Sequence, residues 1–366
     1  MFSAYTTLFR TPGAMKFSVF ALIGRMPISM DSLALIFIVV AVSDSYALAG
    51  ALSAVASIVI SIATPFWSRV ADRIGQRKML LRVVPLKIIG LSLFIALVMN
   101  EAPIWSWFVS IIVAELASIN TGGLVRRRWL HVLSPDKSST KEDEADRHVV
   151  NTAYSYEALM DEIVFIVGPI TATAFATSIA PAAGLIAGMI LMSIGLPLFA
   201  MQRATEPPPS PVRVKDPHPP VIGLPIVQAI ALATTFTGGF FGAIAITVVG
   251  FAQSQGREPY SGLLLGLWAS GSAVMAIING LIKWKTSYVG RFLIFLTALT
   301  ALSIPFIFVD SIFWLAVALF FNGIAIAPLI VNAYGVVQEV VPSEQITESF
   351  TWVVAGMPLG GAISSA

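Results

Sequence analysis

Long apolar segments separated by short polar runs account for most of the chain. Each segment holds about the ~20 residues that a helix needs to cross the hydrocarbon core of a bilayer. The pattern therefore predicts an all-α polytopic membrane protein. Its eleven predicted spans have the approximate limits 17–41, 46–66, 79–99, 104–125, 149–177, 180–200, 222–250, 259–282, 290–309, 311–335 and 345–366.

The composition agrees with this pattern. Hydrophobic residues make up 57% of the chain and charged residues only 11%, whereas soluble domains carry about 25% charged residues. The segment from Met1 to Lys16 is too polar for a cleavable signal, so we expect the first span to be retained. The chain contains no cysteine, which excludes a disulfide framework, a thiol nucleophile and a cysteine-ligated metal.

Basic residues sort to one side of the predicted spans. With the N-terminus in the cytoplasm, all but two of the 22 lysines and arginines fall on the cytoplasmic side, and that set includes Lys87 and the arginine triplet 126–128. The exceptions are Arg25, inside the first span, and Arg257. Trp129 follows the triplet and is predicted to mark the same interface. This asymmetry predicts a multi-pass protein of the cytoplasmic membrane with a cytoplasmic N-terminus.

A proline-rich stretch from Gln202 to Pro220 divides the chain. Repeated proline fixes φ and removes hydrogen-bond donors, so we predict an extended cytoplasmic linker. Residues 1–201 would then form a bundle of six helices, and residues 221–366 a second bundle of which five helices are present.

The most informative polar run is Ser68–Lys78, between the second and third spans. It resembles the signature of the loop between helices 2 and 3 in the major facilitator superfamily, which reads Gly-x-x-x-Asp-Arg/Lys-x-Gly-x-Arg/Lys-Arg/Lys. Five residues match, and Ser68 stands in place of the first glycine. The matching residues are Asp72, Arg73, Gly75, Arg77 and Lys78.

The resemblance, which is to transporters of the drug or arabinose efflux permease type, implies two six-helix bundles related by a pseudo-two-fold axis. Because that family has twelve helices, the last one is expected to be missing. The resemblance also implies that Asp72 faces the N-terminus of helix 11 and helps to latch the two halves together. The arginine triplet is a candidate counter-charge for Asp72, with simple topogenic charge as the alternative.

Ionisable residues inside spans are costly and mark either function or a required pair. Six such residues are predicted, namely Arg25, Asp31, Glu115, Glu157, Asp161 and Glu162. Arg25 lies roughly 13 Å and Asp161 roughly 16 Å from the cytoplasmic ends of their helices, counting ~1.5 Å per residue. We therefore expect Arg25 to pair with Asp161 or Glu162, either as a static staple or as part of a proton relay.

Asp31 and Glu115 show no cationic partner in the sequence. A carboxyl group shielded from water can bind and release a proton when it is exposed to each side in turn. These two residues are therefore the preferred proton carriers, with a water-exposed side chain as the alternative.

Gly168-Pro169 lies in the fifth predicted span. It resembles the start of a glycine-rich helix-5 motif of exporters in the same superfamily, but it lacks the glycine pair that follows. A simple proline kink is the alternative interpretation.

Together these features predict a secondary transporter that exports a small, partly apolar molecule by proton antiport. Uptake of a sugar-like solute and a non-transporting sensor or degenerate remnant are the alternatives. The chain carries no P-loop and no hydrolase motif, so an enzyme is not expected. We expect no cofactor or metal, no nucleic-acid partner and a monomer in the bilayer.

Overall fold

The computed structural model describes residues 3–133, 144–209, 221–257, 260–342 and 345–365. Within these residues the fold consists of α-helices joined by short turns, without a strand. The helices are α1 (Ser3–Arg10), α2 (Ala14–Arg25), α3 (Pro27–Ser43), α4 (Tyr46–Ile74), α5 (Gln76–Met99), α6 (Ile104–Glu115), α7 (Thr121–Leu133), α8 (Glu144–Ser178), α9 (Ala183–Ala200), α10 (Pro225–Ser254), α11 (Tyr260–Leu281), α12 (Tyr288–Ala301), α13 (Ile312–Gly323), α14 (Ile326–Val340) and α15 (Ile346–Ser365).

The eleven predicted spans each correspond to one helix or to two consecutive helices. Over the described residues, nine helical stretches are long and apolar enough to cross a membrane, and α6 is a shorter apolar helix. The first, fourth and tenth spans are each divided, into α2 and α3, α6 and α7, and α13 and α14. The divisions were not predicted, because the apolar pattern continues through them.

Two of these divisions have a local cause. Pro27 has no backbone N–H and starts α3, so α2 ends just before it, at Arg25. At the end of α6 the carbonyl of Leu116 accepts a hydrogen bond from Nε1 of Trp67 at 2.6 Å. The indole N–H therefore satisfies a backbone carbonyl group at the C-terminal end of α6, where intrahelical donors are lacking.

Each half is held together by close packing between its first and last described spans. In the first half α2 packs on α9, and a Cβ at Gly195 would collide with the backbone of Gly24. In the second half α10 packs on α15, where a Cβ at Gly360 would collide with the carbonyl oxygen of Thr235. Small residues allow helix backbones to approach this closely in lipid.

The predicted loop Ser68–Lys78 is almost entirely helical, which corrects the sequence interpretation. α4 continues to Ile74 and α5 begins at Gln76, so only Gly75 interrupts the helices, with φ of 92°. A non-glycine residue would be strained there. We call the end of the helices that carries this turn the basic end.

The sequence-based placement of Lys87 at the membrane surface is wrong. Lys87 lies inside α5 and its side chain is buried. Trp129 is also fully buried, within the first half, and does not lie at an interface.

The start of the predicted linker is described and is held against the first half. Residues 203–205 form a 3₁₀ turn, and Oε1 of Glu206 accepts a hydrogen bond at 2.8 Å from the backbone N–H of Arg77, in the first turn of α5. The rest of the linker, 210–220, lies outside the described residues.

Candidate functional site

Four charged side chains meet where α2, α7 and α8 approach one another. Nη2 of Arg25 lies 2.6 Å from Oε2 of Glu157, and its Nη1 lies 3.1 Å from Oδ1 of Asp161. Nη2 of Arg126 lies 2.8 Å from the other oxygen of Asp161, Oδ2. Two arginines and two carboxylates therefore form a charge-balanced group, which we call the arginine–carboxylate cluster.

The sequence positions these groups through helical spacing. Glu157 and Asp161 are four residues apart on α8, so they share one face of the helix. Arg25 is the last residue of α2, next to the division before α3. Arg126 lies within α7 and also donates to the carbonyl oxygen of Gly122.

The four members differ in their access to water. The side chains of Arg25 and Arg126 are 1% exposed and that of Glu157 is fully buried, whereas Asp161 is 33% exposed. Glu157 also accepts hydrogen bonds from Nε1 of Trp129 at 2.7 Å and from Oγ of Ser18 at 3.0 Å. Glu157 is thus enclosed in the interior, and Asp161 is the member of the cluster that the protein leaves partly uncovered.

The predicted partnership of Arg25 and Asp161 is present, but the alternative partner Glu162 is not part of the cluster. Oε1 of Glu162 instead accepts a hydrogen bond at 2.5 Å from Oγ of Ser272, on α11 in the second half. Among the described residues no lysine or arginine forms an ion pair with Glu162.

The sequence-based interpretation of Glu115 as an unpaired carboxylate is wrong. Nζ of Lys87 lies 2.5 Å from Oε2 of Glu115, and Oγ of Ser118 bonds the same oxygen at 2.6 Å. The partner was missed because Lys87 is 28 residues away in sequence, on α5, and was assigned to the membrane surface. Removing one partner of a buried pair leaves the other charge uncompensated and is strongly destabilising.

Asp31 lies near this pair on α3. Its Oδ1 is buried and accepts no hydrogen bond within the described part of the chain. The carboxyl group interacts electrostatically with Lys87 and Glu115. A Cβ at Gly188 would lie 3.2 Å from Oδ1 of Asp31, so α9 covers the carboxyl group. Asp31 therefore faces the interior of the first half.

At the basic end, α4 of the first half contacts the N-terminus of α15 in the second. The backbone N–H of Glu348 donates to Oδ2 of Asp72 at 3.0 Å. The side chain of Glu348 returns to α4, where it accepts from Nε and Nη2 of Arg69 at 3.0 and 2.6 Å. Oγ of Ser68 also bonds Oγ1 of Thr351. We call these contacts the α4–α15 latch.

The remaining residues of the signature do not join the halves. Arg73 and Lys78 are exposed, whereas the backbone N–H of Arg77 faces Glu206 within the first half. Arg127, from the arginine triplet, is buried and acts electrostatically on Asp72. All three arginines of the triplet are buried, so they are not merely topogenic charge at the surface.

A second set of contacts joins α8 to α11 and α14 near the same end. Oγ1 of Thr152 donates to the carbonyl oxygen of Gly280 at 2.7 Å, and the hydroxyl group of Tyr154 donates to Gln338 at 2.7 Å. The guanidinium group of Arg126 stacks over the ring of Tyr334 on α14, 4.3 Å from its centre. The arginine–carboxylate cluster of the first half therefore contacts the second half directly.

Hydrogen bonds between the halves are concentrated at one end of the described structure. Counting from the basic end, the bond between Glu162 and Ser272 is the one farthest into the molecule. The two halves are thus closed against each other at the basic end, and Asp161 lies at the level of the innermost of these contacts, one residue before Glu162 on α8.

Gly168 is required by packing against the first span. A Cβ at this position would collide with Oγ of Ser29 on α3, and that hydroxyl group donates to the carbonyl oxygen of Val164 at 2.7 Å. α8 remains a single helix through Pro169. Gly168 thus allows α8 to pack closely on α3, independently of any kink at Pro169.

No group of three or more potential metal ligands occurs among the described residues. Charged residues missed at the sequence level were Arg126 as a cluster member and Glu348 as the latch partner. No signal in the sequence identifies the first, because Arg126 opens a run of three arginines just after the predicted end of the fourth span.

The family model described as Major Facilitator Superfamily matches residues 21–365. A search of curated proteins gives no match.

Solved structures with the same fold cover almost the whole chain at low sequence identity. The human organic anion transporter MFSD10 (TETRAN) aligns with a TM-score of 0.73 and 10% identity, over 97% of this chain and 92% of that one. A bacterial homologue of the iron transporter ferroportin in an outward-facing state gives 0.69 and 11%, over 95% and 90%. The Escherichia coli fucose:proton symporter FucP gives 0.66 and 13%, over 98% and 90%.

Proposed function

Because this chain belongs to the major facilitator superfamily, we propose that it is a proton-coupled secondary transporter of a small molecule. Its membership makes it a membrane transporter and not an enzyme. The proton as coupling ion, the small-molecule substrate and the location in the cytoplasmic membrane are proposed in addition to that membership. The observation that carries it is the partly exposed carboxylate of Asp161 in an otherwise buried cluster of charges.

Transport would proceed by rocking of the two halves around this cluster. If the basic end faces the cytoplasm, as the distribution of lysine and arginine predicts, the state described here is closed to the cytoplasm. Opening would break the α4–α15 latch and the contacts of α8 with α11 and α14. Asp161 would then become accessible from the cytoplasmic side.

Export by proton antiport remains a candidate and is supported by the resemblance around Gly168-Pro169. A second candidate is uptake in which proton and substrate move together. The charge balance of the cluster favours this second mode, because Asp161 already lies within 3.1 Å of two guanidinium groups. Asp161 differs from Asp31 in its ion pairs with both Arg25 and Arg126, so a change in its protonation alters the charge balance of the whole cluster.

The test is transport in proteoliposomes containing the full chain, with an imposed pH gradient and a panel of small charged and neutral compounds. We expect gradient-driven accumulation of at least one compound. Asp161→Asn should abolish accumulation but retain exchange of labelled for unlabelled substrate, because an amide cannot cycle a proton. Asp310→Asn, at an exposed carboxylate, is the matched control.

Accumulation by Asp161→Asn at the wild-type level would overturn the role of Asp161. Binding of a compound without exchange or accumulation would favour a non-transporting sensor.

A further inference from the structure

The arginine–carboxylate cluster is neutral only when all four of its members are ionised. Arg25 has two carboxylate partners, Glu157 and Asp161, whereas Arg126 has Asp161 as its ion-pair partner within the described residues. Arginine remains charged in proteins. Protonation of Asp161 would therefore leave Arg126 buried without an ion-pair partner among the described residues, and the cluster with one excess positive charge.

This arrangement disfavours binding of either ion alone. A proton on Asp161 leaves one excess positive charge in the cluster, and an anion added to the ionised cluster leaves one excess negative charge. An uncompensated buried charge is strongly unfavourable. A proton and a monovalent anion together restore neutrality.

We propose that the protein binds a small organic monoanion together with one proton. The anion's carboxylate would take the place of Asp161 at Nη2 of Arg126 while Asp161 is protonated. This inference rests on the proposed proton-coupled transport and specifies its substrate class. It also favours movement of proton and substrate in the same direction.

Access supports this assignment. Asp161 is the exposed member of the cluster, so a ligand reaches Arg126 by the position that Asp161 occupies. Arg126 also stacks on Tyr334 of the second half. Replacing the ion-pair partner of Arg126 would therefore directly affect its contact with Tyr334, which joins the two halves.

The second half indicates that the rest of the substrate is apolar. Within the described parts of α10–α15 the charged side chains are Arg291, Glu339 and Glu348, and Arg291 and Glu348 bond to the first half at the basic end. Above that end this half presents side chains such as Phe241 and Trp268, packed edge to face with ring centres 5.1 Å apart. A monocarboxylate with an aliphatic or aromatic body would place its carboxylate at Arg126 of the first half and its apolar part against the second half.

The groups that face Asp161 come from four helices. They are Arg25 from α2, Arg126 from α7, Glu157 and Glu162 from α8, and Tyr334 from α14. Glu162 is the one carboxyl group here without an ion pair, so a cationic substrate would bind at Glu162 and displace a proton. That outcome is the competing class, and the experiment distinguishes it.

The experiment is calorimetric titration of the purified full chain in detergent, in two buffers of different ionisation enthalpy, which counts protons exchanged per ligand. The probes are monocarboxylates from acetate to benzoate, with benzylammonium and benzyl alcohol for comparison. We expect at least one monocarboxylate to bind with uptake of one proton. Because one proton is taken up with the ligand, its Kd should rise as the pH is raised.

Two variants make the result specific. Asp161→Asn should bind the same monocarboxylate without proton uptake, with a Kd that does not change with pH. The double variant Asp161→Asn/Arg126→Gln keeps the cluster neutral, so it should fold as judged by thermal unfolding but lose monocarboxylate binding. Asp310→Asn should behave as the wild type.

Several outcomes would overturn the proposal. These are binding of monocarboxylates without proton uptake, failure of every monocarboxylate to bind, and binding of benzylammonium with proton release that requires Glu162. The last outcome would leave proton-coupled transport standing, because it exchanges one coupled substrate class for another. Absence of any gradient-driven flux in proteoliposomes would instead remove the proposed function itself.

Discussion

Neutralising Asp72 should open the basic end of the protein. Oδ2 of Asp72 accepts the backbone N–H of Glu348 at 3.0 Å, in the first turn of α15. Asp72→Asn retains an acceptor oxygen of the same size but removes its charge. The variant therefore isolates the electrostatic part of the α4–α15 latch.

The expected magnitude follows from two contributions. A hydrogen bond to a charged group contributes about 1 kcal/mol more than one between neutral groups. An anion at a helix N-terminus contributes a further ~0.3–1 kcal/mol. The total of about 1–2 kcal/mol corresponds to a shift of roughly 5–30-fold in the ratio of open to closed states, since 1.4 kcal/mol is a factor of ten. The pair between Arg69 and Glu348 would remain.

The chain contains no cysteine, so spin labels can be introduced without background. Lys16 and Thr286 are exposed and lie on opposite halves near the basic end. Spin labels on cysteines at these two positions would report the distance between the halves by pulsed electron paramagnetic resonance. We expect the population at long distance to grow in Asp72→Asn and to stay unchanged in Asp310→Asn. Identical distance distributions in the wild type and Asp72→Asn would refute the latch.

Two further predictions concern packing and buried charge, and thermal unfolding in detergent measures both. Gly168→Ala should lower stability by about 1–3 kcal/mol because its Cβ meets Oγ of Ser29, whereas Gly266→Ala, in open space, should be neutral or slightly stabilising; equal effects would contradict the close approach. Lys87→Met and Glu115→Gln should each cost about 3–5 kcal/mol by leaving a charge buried, and the double variant should cost less than either alone. Additive losses would show that the two side chains do not interact.

The sequence predicted the helical segments well because lipid imposes a simple requirement. A backbone in the bilayer must satisfy its own hydrogen bonds, so each apolar segment of sufficient length is helical. The divided spans were not predicted, since the break at Met26 or after Glu115 leaves the apolar pattern unchanged. The turn at Gly75 was predicted as a longer loop, because charged residues at the end of a helix have the same pattern as a loop.

The charged residues show a different limit. Helical spacing was enough to place Glu157 and Asp161 on one face, and matching depth was enough to expect Arg25 near Asp161. Helical spacing and depth did not identify Arg126 as a member of the cluster, and they did not identify the pairing of Lys87 with Glu115. Arg126 and Lys87 were both assigned to the surface by the rule that sorts lysine and arginine to one side of the membrane.

The sequence by itself determined that this chain threads a membrane as helices, and that the arginine within its first span needs an acidic partner, because hydrocarbon solvates neither a bare backbone nor a lone charge. Only the tertiary structure decided which carboxylate remains exposed. Asp161 and Glu157 are chemically alike and one turn apart, yet Trp129 and Ser18 cover Glu157 and leave Asp161 open. Trp129 is 28 residues and Ser18 139 residues from Glu157 in sequence, and the pattern along the chain does not record which distant helices pack together.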